Sequence, residues 1–390
     1  MDILALAKAA EGRIIDIRRD LHSHPELSWQ ETRTTDTVAA ELAALSIPYR
    51  RFAGHTGLVG TLRGTRAAGG KTLVMRADMD ALPIAEQSGL PFTSQNAGVM
   101  HACGHDTHTA MLLGAARILS GLRDQFAGEV RLLFQPAEEV SSGADYCVSQ
   151  GVMDGADAVF GLHIWGDFDA PHISIQDGSR MASCDNFKLT VRGVSAHGSA
   201  PQQGVDAVVA AAAIVLQVQA VVSRMNDPRV PLVVTIGEIR GGKRFNIIAD
   251  TVEMVGTVRT HDPALRTQVE AQIRNVAEHT AAAYGASAEF AYEYLAAPVI
   301  NDPALARLAR AAATRLFGEG SLANIPPQMS SEDYAAYLAH APGVFCFLGG
   351  RNEALGFAAA NHNERFAIDE SVLARGAALS AQFALDFLNA

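Results

Sequence analysis

Three short apolar runs in the first half of the chain each stop at residues suited to chemistry. Thr72-Leu73-Val74-Met75 delivers Asp78 and Asp80, Glu129 to Phe134 delivers Gln135-Pro136-Ala137-Glu138-Glu139, and Ala156 to Leu162 delivers His163. Runs this short and apolar predict buried strands, and the longer amphipathic patterns between them predict helices. Such alternation favours an α/β fold, with helices packed on a mixed, largely parallel sheet. Ligand groups in open α/β sheets gather beyond the carboxyl ends of the strands, so these three run ends predict one site.

The segment His101-Ala102-Cys103-Gly104-His105-Asp106 lies between two of those runs and feeds a helical pattern from Thr107 to Leu119. Thiol and imidazole are soft, metal-avid donors, and a loop entering a helix can aim several at one point. Taken alone, Cys103 reads as a small buried hydrophobe, and Cys103 with His105 could be a nucleophile and its base. Glu138, Glu139 and His163 supply more donors than a thiol enzyme needs, which favours a metal site. Adjacent glutamates are commonly just a solvated surface. Straight after an apolar strand and a proline-fixed turn, they can divide the labour, one binding a cation and the other accepting a proton. Asp80 is an ordinary strand-end residue unless a metal site lies beside it; there it can accept the free N–H of a ligating histidine and fix its tautomer.

The 390 residues correspond to about two domains at ~100–200 residues each. A hydrophobic content of 48% against 19% charged residues describes a well-cored globular chain, and a net charge of −11 disfavours nucleic acid and anionic membranes as partners. The four cysteines are widely spaced, which predicts a reducing compartment. Met1 to Leu21 carries Asp2, Glu11, Asp16 and Asp20 and reads as an amphipathic helix, not a leader peptide. Ala207 to Val222, broken by Gln217 and Gln219, reads as a buried Ala-rich helix. A cytoplasmic protein with no membrane contact is expected. Ser28-x-x-Glu31 reads as a capping box opening a helix that runs to Leu45.

The pattern changes near Asp185. Strand-like stretches at Phe187–Val191, Leu232–Gly237 and Thr251–Arg259, with helical stretches after Gly204 and over Pro263–Tyr284, predict a small α+β unit over 185–296. It would interrupt a larger domain made of 1–184 and 297–390, closed by a core strand at Val344–Leu348. Within it, His197 in a Gly/Ser-rich turn, Asn246 in a loop and Arg259 at a strand end each read singly as solvated surface residues. His362, between Asn361 and Asn363, is equally unassuming by itself.

Their order along the chain is more specific. His24-Pro25-Glu26-Leu27, Arg76 to Pro83, His101 to Asp106, Gln135 to Glu139, Gly161-Leu162-His163, Ala196-His197-Gly198, Gly256 to Thr260, Ser331-Glu332-Asp333 and His362-Asn363 occur in one sequence. Over nearly its full length the chain resembles the hippurate hydrolase and indole-acetyl-amino-acid hydrolase branch of the aminoacylase/carboxypeptidase metallohydrolases. The resemblance implies a zinc-exopeptidase-like catalytic domain and an inserted lid that also makes a homodimer, or a dimer of dimers. It implies two divalent ions, zinc or manganese, with Cys103 as a bridging thiolate and His105, Glu139, His163 and His362 completing the coordination. Glu138 would be the general base and Asp80 the support of His105. His197 would reach the partner's site to steady the oxyanion, and Asn246 and Arg259 would hold the carboxylate of the amino-acid half. The implied reaction converts an N-acyl-L-amino acid to a carboxylic acid and an amino acid. A dipeptidase or carboxypeptidase on the same scaffold is the alternative, and a cysteine hydrolase using Cys103 a more distant one. Departures from the usual pattern fall at Gln202, Ala249, Asn361 and Glu364, none of which is a ligand or the base.

Overall fold

A computed structural model describes residues 2–67 and 69–390. The chain opens with α1 (Ile3–Ser23), α2 (Thr32–Ala44), β1 (Tyr49–Arg51), β2 (Leu58–Arg63) and β3 (Thr72–Asp78). Next come α3 (His105–Ser120), β4 (Glu129–Gln135), α4 (Gly143–Ser149), β5 (Ala158–Asp169), β6 (Ile173–Ser174) and β7 (Gly178–Met181). The middle of the chain holds β8 (Cys184–Arg192), α5 (Ala207–Ala220), β9 (Leu232–Gly241), β10 (Thr251–Thr260), α6 (Pro263–Ala283) and β11 (Ser287–Ala296). It closes with β12 (Val299–Asn301), α7 (Pro303–Phe317), α8 (Ala335–Leu338), β13 (Gly343–Arg351) and α9 (Leu373–Leu388). Two compact units result: Met1–Gly178 with Ile300–Pro326 and Asp333–Ala390, and Ser179–Val299 with Pro327–Glu332.

The larger unit is built on a seven-stranded sheet in the order β1-β2-β4-β3-β5-β13-β6. Its central strands β4, β3, β5 and β13 run parallel, and the outer pairings are antiparallel. Parallel strands are covered on both faces, which is why β3 and β13 read as almost unbroken apolar runs. Helices α1, α3 and α9 pack against one another in this unit's core, where Ile14, Leu21, Leu73, Met75, Phe160 and Phe383 lie buried in one cluster. The Phe160 and Phe383 rings stack at 4.6 Å. Each such side chain contributes about 1.5–3 kcal/mol by leaving water.

The register of β5 opens the crevice. β3 leaves its pairing with β5 at Arg76↔Gly161, whereas β13 stays paired through Phe347↔His163 and beyond. His163 therefore sits inside a long strand and not beyond its end as expected, and it stands where the neighbour on one side has already departed.

The expected capping box is absent. Glu31 occupies the N-cap position of α2, but its side chain makes no capping hydrogen bond. Glu26 does that work, accepting the N–H groups of Arg33 at 3.0 Å and Thr34 at 2.8 Å. Ser28 and Glu31 instead point inward, Ser28 toward Asp80 and Glu31 toward the backbone of Ala137. The local pattern misleads because buried acceptors and donors elsewhere in the chain claim both side chains.

The smaller unit is a four-stranded antiparallel sheet, β11-β8-β10-β9, whose core joins Phe187, Leu189, Val252 and Met254 to Ile214 and Val218 of α5 and Val269 and Ile273 of α6. Asp206 and Asp262 cap the two helices with their carboxylates. The expectation of a buried α5 is corrected: Ala210, Ile214 and Val218 are buried, but Val208, Val209 and Leu216 are exposed, Leu216 at 73%. By length and composition Ala207–Met225 is apolar enough to cross a membrane, yet one face of it forms this unit's core.

Gly114 tests the α1–α3–α9 packing. A Cβ there would lie 2.6 Å from Ile14 Cδ1 and 2.9 Å from Ala377 Cβ. Helix propensity favours alanine by about 1 kcal/mol, whereas overpacking a core costs about 1–3 kcal/mol. Because the Ala377 contact cannot rotate away, Gly114→Ala is expected to lose about 1–2 kcal/mol in urea unfolding. A stabilised variant would show that the helices can separate without cost.

Candidate metal centre and active site

Gly104 makes the donor loop possible. It sits at φ +92° as the residue before α3, and a Cβ there would come 2.2 Å from Ile164 Cγ2. The reversal at this glycine leaves Cys103 on the loop and His105 in the first turn of the helix, both buried. Across from them, Cys103 Sγ lies 3.6 Å from His163 Nε2. His105 Nε2 lies 3.8 Å from Glu139 Oε1 and 4.0 Å from Glu138 Oε2, and His362 Nε2 lies 3.6 Å from Glu139 Oε2. The ligand atoms of Cys103, His105 and His163 fall within 4.8 Å of one another, as do those of Cys103, Glu139 and His362. All of these residues belong to the larger unit.

Hydrogen bonds turn the lone pairs inward. The Nδ1–H of His105 donates to Asp80 Oδ1 at 3.2 Å, and that of His163 donates to the Ile164 carbonyl at 2.6 Å. Each ring therefore turns its Nε2 toward the cluster. His105 Nε2 and Glu139 Oε1 are buried and make no hydrogen bond. Two buried polar atoms without partners, facing each other beside a thiol, are costly unless a cation joins them. The set of sulfur, imidazole and carboxylate donors suits a borderline divalent ion.

Electrostatics favour the same conclusion. Burial pushes the Cys103 thiol well up, and Glu139 adds to it. Burial pushes Glu139 up to about 7, against the pull of His105 and with that of Asp80. Burial also lowers His163, helped by the neighbouring His108, and lowers His362. Acids pushed up and imidazoles pushed down in one buried cluster mark an environment in which burial disfavours charge of either sign. His105 is the exception, because Asp78, Cys103 and Asp80 outweigh its burial and raise it.

Several contributors carry no sequence signal of their own. Asp80 accepts from Ser28 Oγ at 2.7 Å and from the backbone N–H groups of Glu138 and Glu139 at 3.1 and 3.0 Å, besides His105. His108 Nδ1–H donates to Asp78 at 2.5 Å, and its Nε2 accepts the Ile164 N–H at 2.8 Å, so neither nitrogen is left for a metal. Arg76 bridges Asp78 and Asp333 in the interior. Asn361 donates through Nδ2 to the carbonyls of Cys103 and Ile164, at 3.0 and 3.3 Å, and accepts the Gly166 N–H at 2.7 Å. It thereby ties the donor loop and β5 to the segment that carries His362, whose own N–H donates to Ala102. His101 joins none of the ligand groups. It is buried beside His22 with both ring nitrogens unpartnered.

In the smaller unit, His197 and Asn246 line one open recess of about 380 Å³ together with Ser195 and Arg244. Ser199 donates to His197 Nδ1 from its backbone N–H at 3.1 Å, which leaves Nε2 as the protonated, exposed nitrogen. Arg259 is not part of this recess; its guanidinium donates to Ser331 Oγ at 2.9 Å.

The chain matches the model of Peptidase family M20/M25/M40 over residues 74–386. It is 42% identical over 301 residues to an N-acyl-L-amino acid amidohydrolase of Geobacillus stearothermophilus, covering 77% of this chain and 81% of that protein. It is 39% identical to thermostable carboxypeptidase 2 of Saccharolobus solfataricus, covering 98% and 97% of the two chains. The crystal structure of the Bacillus subtilis YXEP protein, described as a dinuclear metal binding peptidase from the M20 family, superposes with a TM-score of 0.86 at 36% identity, covering 98% and 99%.

Asp80→Asn would leave one carbonyl oxygen and an amide group facing N–H donors. Groups that orient a ligating histidine in this way are worth about 10–100-fold in metal affinity. A fall of that size is expected when divalent cation is titrated against a chromophoric chelator, and an unchanged affinity would show that Asp80 does not orient His105.

Proposed function

Taking as premise that the chain belongs to peptidase family M20/M25/M40, we propose that it is a metal-dependent amidohydrolase of N-acyl-L-amino acids, hippurate-like amides among them. The observation that carries this reading is the pairing of Glu138 with Glu139. Glu139 faces His105 and His362, while the neighbouring Glu138 carboxylate stands beside the same cluster with its backbone N–H held by Asp80. One carboxylate is thus available to a cation and the next to a proton.

Cys103, His105, Glu139, His163 and His362 would hold two divalent ions, zinc or manganese. When bound, such a pair polarises an amide carbonyl and acidifies water. Glu138 accepts the proton of the attacking water and hands it to the leaving amine, which departs as the free amino acid. His197, with Nε2–H outward, donates to the developing oxyanion. Asn246 and Arg259 receive the substrate carboxylate, for which a guanidinium is the natural fork.

We further propose a homodimer through the smaller unit, acting as a lid, with His197 serving the partner's site. What supports it is the exposed apolar face of α5, with Val208, Val209 and Leu216, and the edge position of β9, where Val233 and Ile239 are exposed. Large exposed apolar patches of this kind mark interaction surfaces. The carboxypeptidase-like relative keeps a second reading open, in which the same chemistry cleaves a peptide and only the acyl side of the pocket differs. A cysteine hydrolase is disfavoured, because a nucleophilic thiol needs a lowered pKa and burial holds Cys103 high.

Amino-acid release from hippurate, N-acetyl and indole-acetyl conjugates, measured with and without chelator, tests the reaction. Chelator-sensitive release is expected, with Glu138→Ala retaining its metal and losing about 10²–10⁴-fold in kcat. No release from any conjugate by metal-loaded protein would move the assignment to peptides. Separately, His197→Ala is expected to lose activity with its metal content intact and to regain part of it when mixed with Glu138→Ala, since one site of a heterodimer then has both residues. Mixed dimers that stay inactive would rule out a shared site.

A further inference from the structure

Glu31 is a fully buried carboxylate for which the proposed chemistry has no use. It does not cap its helix, and among the described residues it makes no ion pair. Its oxygens are nonetheless well occupied. Oε1 accepts the backbone N–H of Ala137 at 2.8 Å and that of Trp29 at 3.1 Å, while Oε2 accepts the Thr56 hydroxyl at 2.5 Å. Ala137 and Trp29 are both non-glycine residues at positive φ, 55° and 65°. Such conformations are strained and persist only where the surroundings hold them.

Ala137 immediately precedes the Glu138–Glu139 pair. Three consecutive N–H groups, those of Ala137, Glu138 and Glu139, therefore end on two buried carboxylates: the first on Glu31, the next two on Asp80. The other side of the turn has little slack. Gly143 N–H donates to the Ala137 carbonyl at 3.1 Å and Ser141 N–H to that of Glu138 at 2.7 Å. A Cβ at Gly57 would come 2.7 Å from Pro136 Cδ, and one at Gly143 would come 1.7 Å from the Pro136 carbonyl oxygen.

From this geometry we infer that Glu31 is a positioning residue for the general base: it anchors the left-handed residue Ala137 and so fixes where the Glu138 carboxylate stands. The inference rests on the reading of Glu138 as the base. Glu31 acts through the backbone and touches no reacting atom. The property required of it is an acceptor at a set distance, and a formal charge is not needed. Burial, with Asp80 nearby, pushes Glu31 up to about 7, consistent with a side chain whose acceptor geometry matters more than its ionisation.

Two substitutions separate these properties. Glu31→Gln keeps an acceptor oxygen at the same reach, and its amide group can meet the Thr56 hydroxyl turned to accept. Glu31→Asp keeps the charge but withdraws it by one methylene. A displacement of about 1 Å at a catalytic group can cost about 10²-fold. The expected result is a 10- to 100-fold loss of kcat in E31D, with KM and equivalents of bound metal unchanged, and a kcat within about threefold of the parent in E31Q. A parental kcat in E31D, an equal loss in E31Q, or loss of metal together with activity would overturn the role. If E31D does not fold, Thr56→Val, which removes the anchor of the other carboxylate oxygen, takes its place: a fall in kcat alone supports the inference and an unchanged kcat overturns it. Glu138→Ala run alongside separates the failures. If that variant retains activity, the reading of Glu138 as base fails; if it is inactive while E31D matches the parent, only the inference about Glu31 fails.

Discussion

The carboxylate of Asp80 receives four hydrogen bonds, from Ser28, from the His105 ring and from two successive backbone N–H groups at Glu138 and Glu139. An acid buried among apolar atoms would ordinarily be driven toward its neutral form. Here burial is outweighed, first by the His105 hydrogen bond, and Asp80 is held below the usual carboxylate range. Its negative charge is what allows one residue at the end of β3 to orient a ring from α3 and a turn after β4. Removing that acceptor would free donors on three separate segments at once, and the distances that His105 and Glu139 make within the donor cluster depend on them.

Around Asp80, buried charges are compensated in pairs and not left single. Arg76 lies between Asp78 and Asp333, and Gln135 donates to the same Asp333 while accepting from Tyr337. Beneath α1, Arg18 and His22 share Asp106, and His22 also reaches Glu86. Breaking one partner of a buried pair typically costs about 3–5 kcal/mol, because the other is left uncompensated. These networks make the sheet end rigid. At that end His105 Nε2 and Glu139 Oε1 are buried and make no hydrogen bond. Lying 3.8 Å apart beside the Cys103 thiol, these two atoms mark a place shaped for a cation.

The smaller unit obeys a different economy. Its sheet is half-covered, its helix α5 is apolar on both faces, and β9 is an unpaired edge. A helix that is apolar all round normally has neighbours all round. Within the unit α5 has them on one face only, which is the physical reason for proposing that a second copy of the chain covers the other.

Much of this was legible in the sequence. Apolar runs marked β3, β4 and β13, and residues following β3 and β4 converge on the site with His163 of β5, because strand burial leaves its imprint as unbroken hydrophobicity. Soft donors crowded around Gly104 announced metal chemistry by composition alone. The capping box at Ser28 and Glu31 was misread, since a local pattern cannot reveal that Asp80 and Ala137, distant in sequence, compete for those side chains. Likewise Asn361 and His108 look ordinary in sequence, and only the fold places their amide and ring across three separate segments. The sequence by itself determined which residues could bind, titrate and line a core, because those are properties of side chains and their spacing. Tertiary structure alone decided which lone pairs face one another and which N–H groups end on which carboxylate, because hydrogen-bond direction is set by segments that meet only after the sheet has formed.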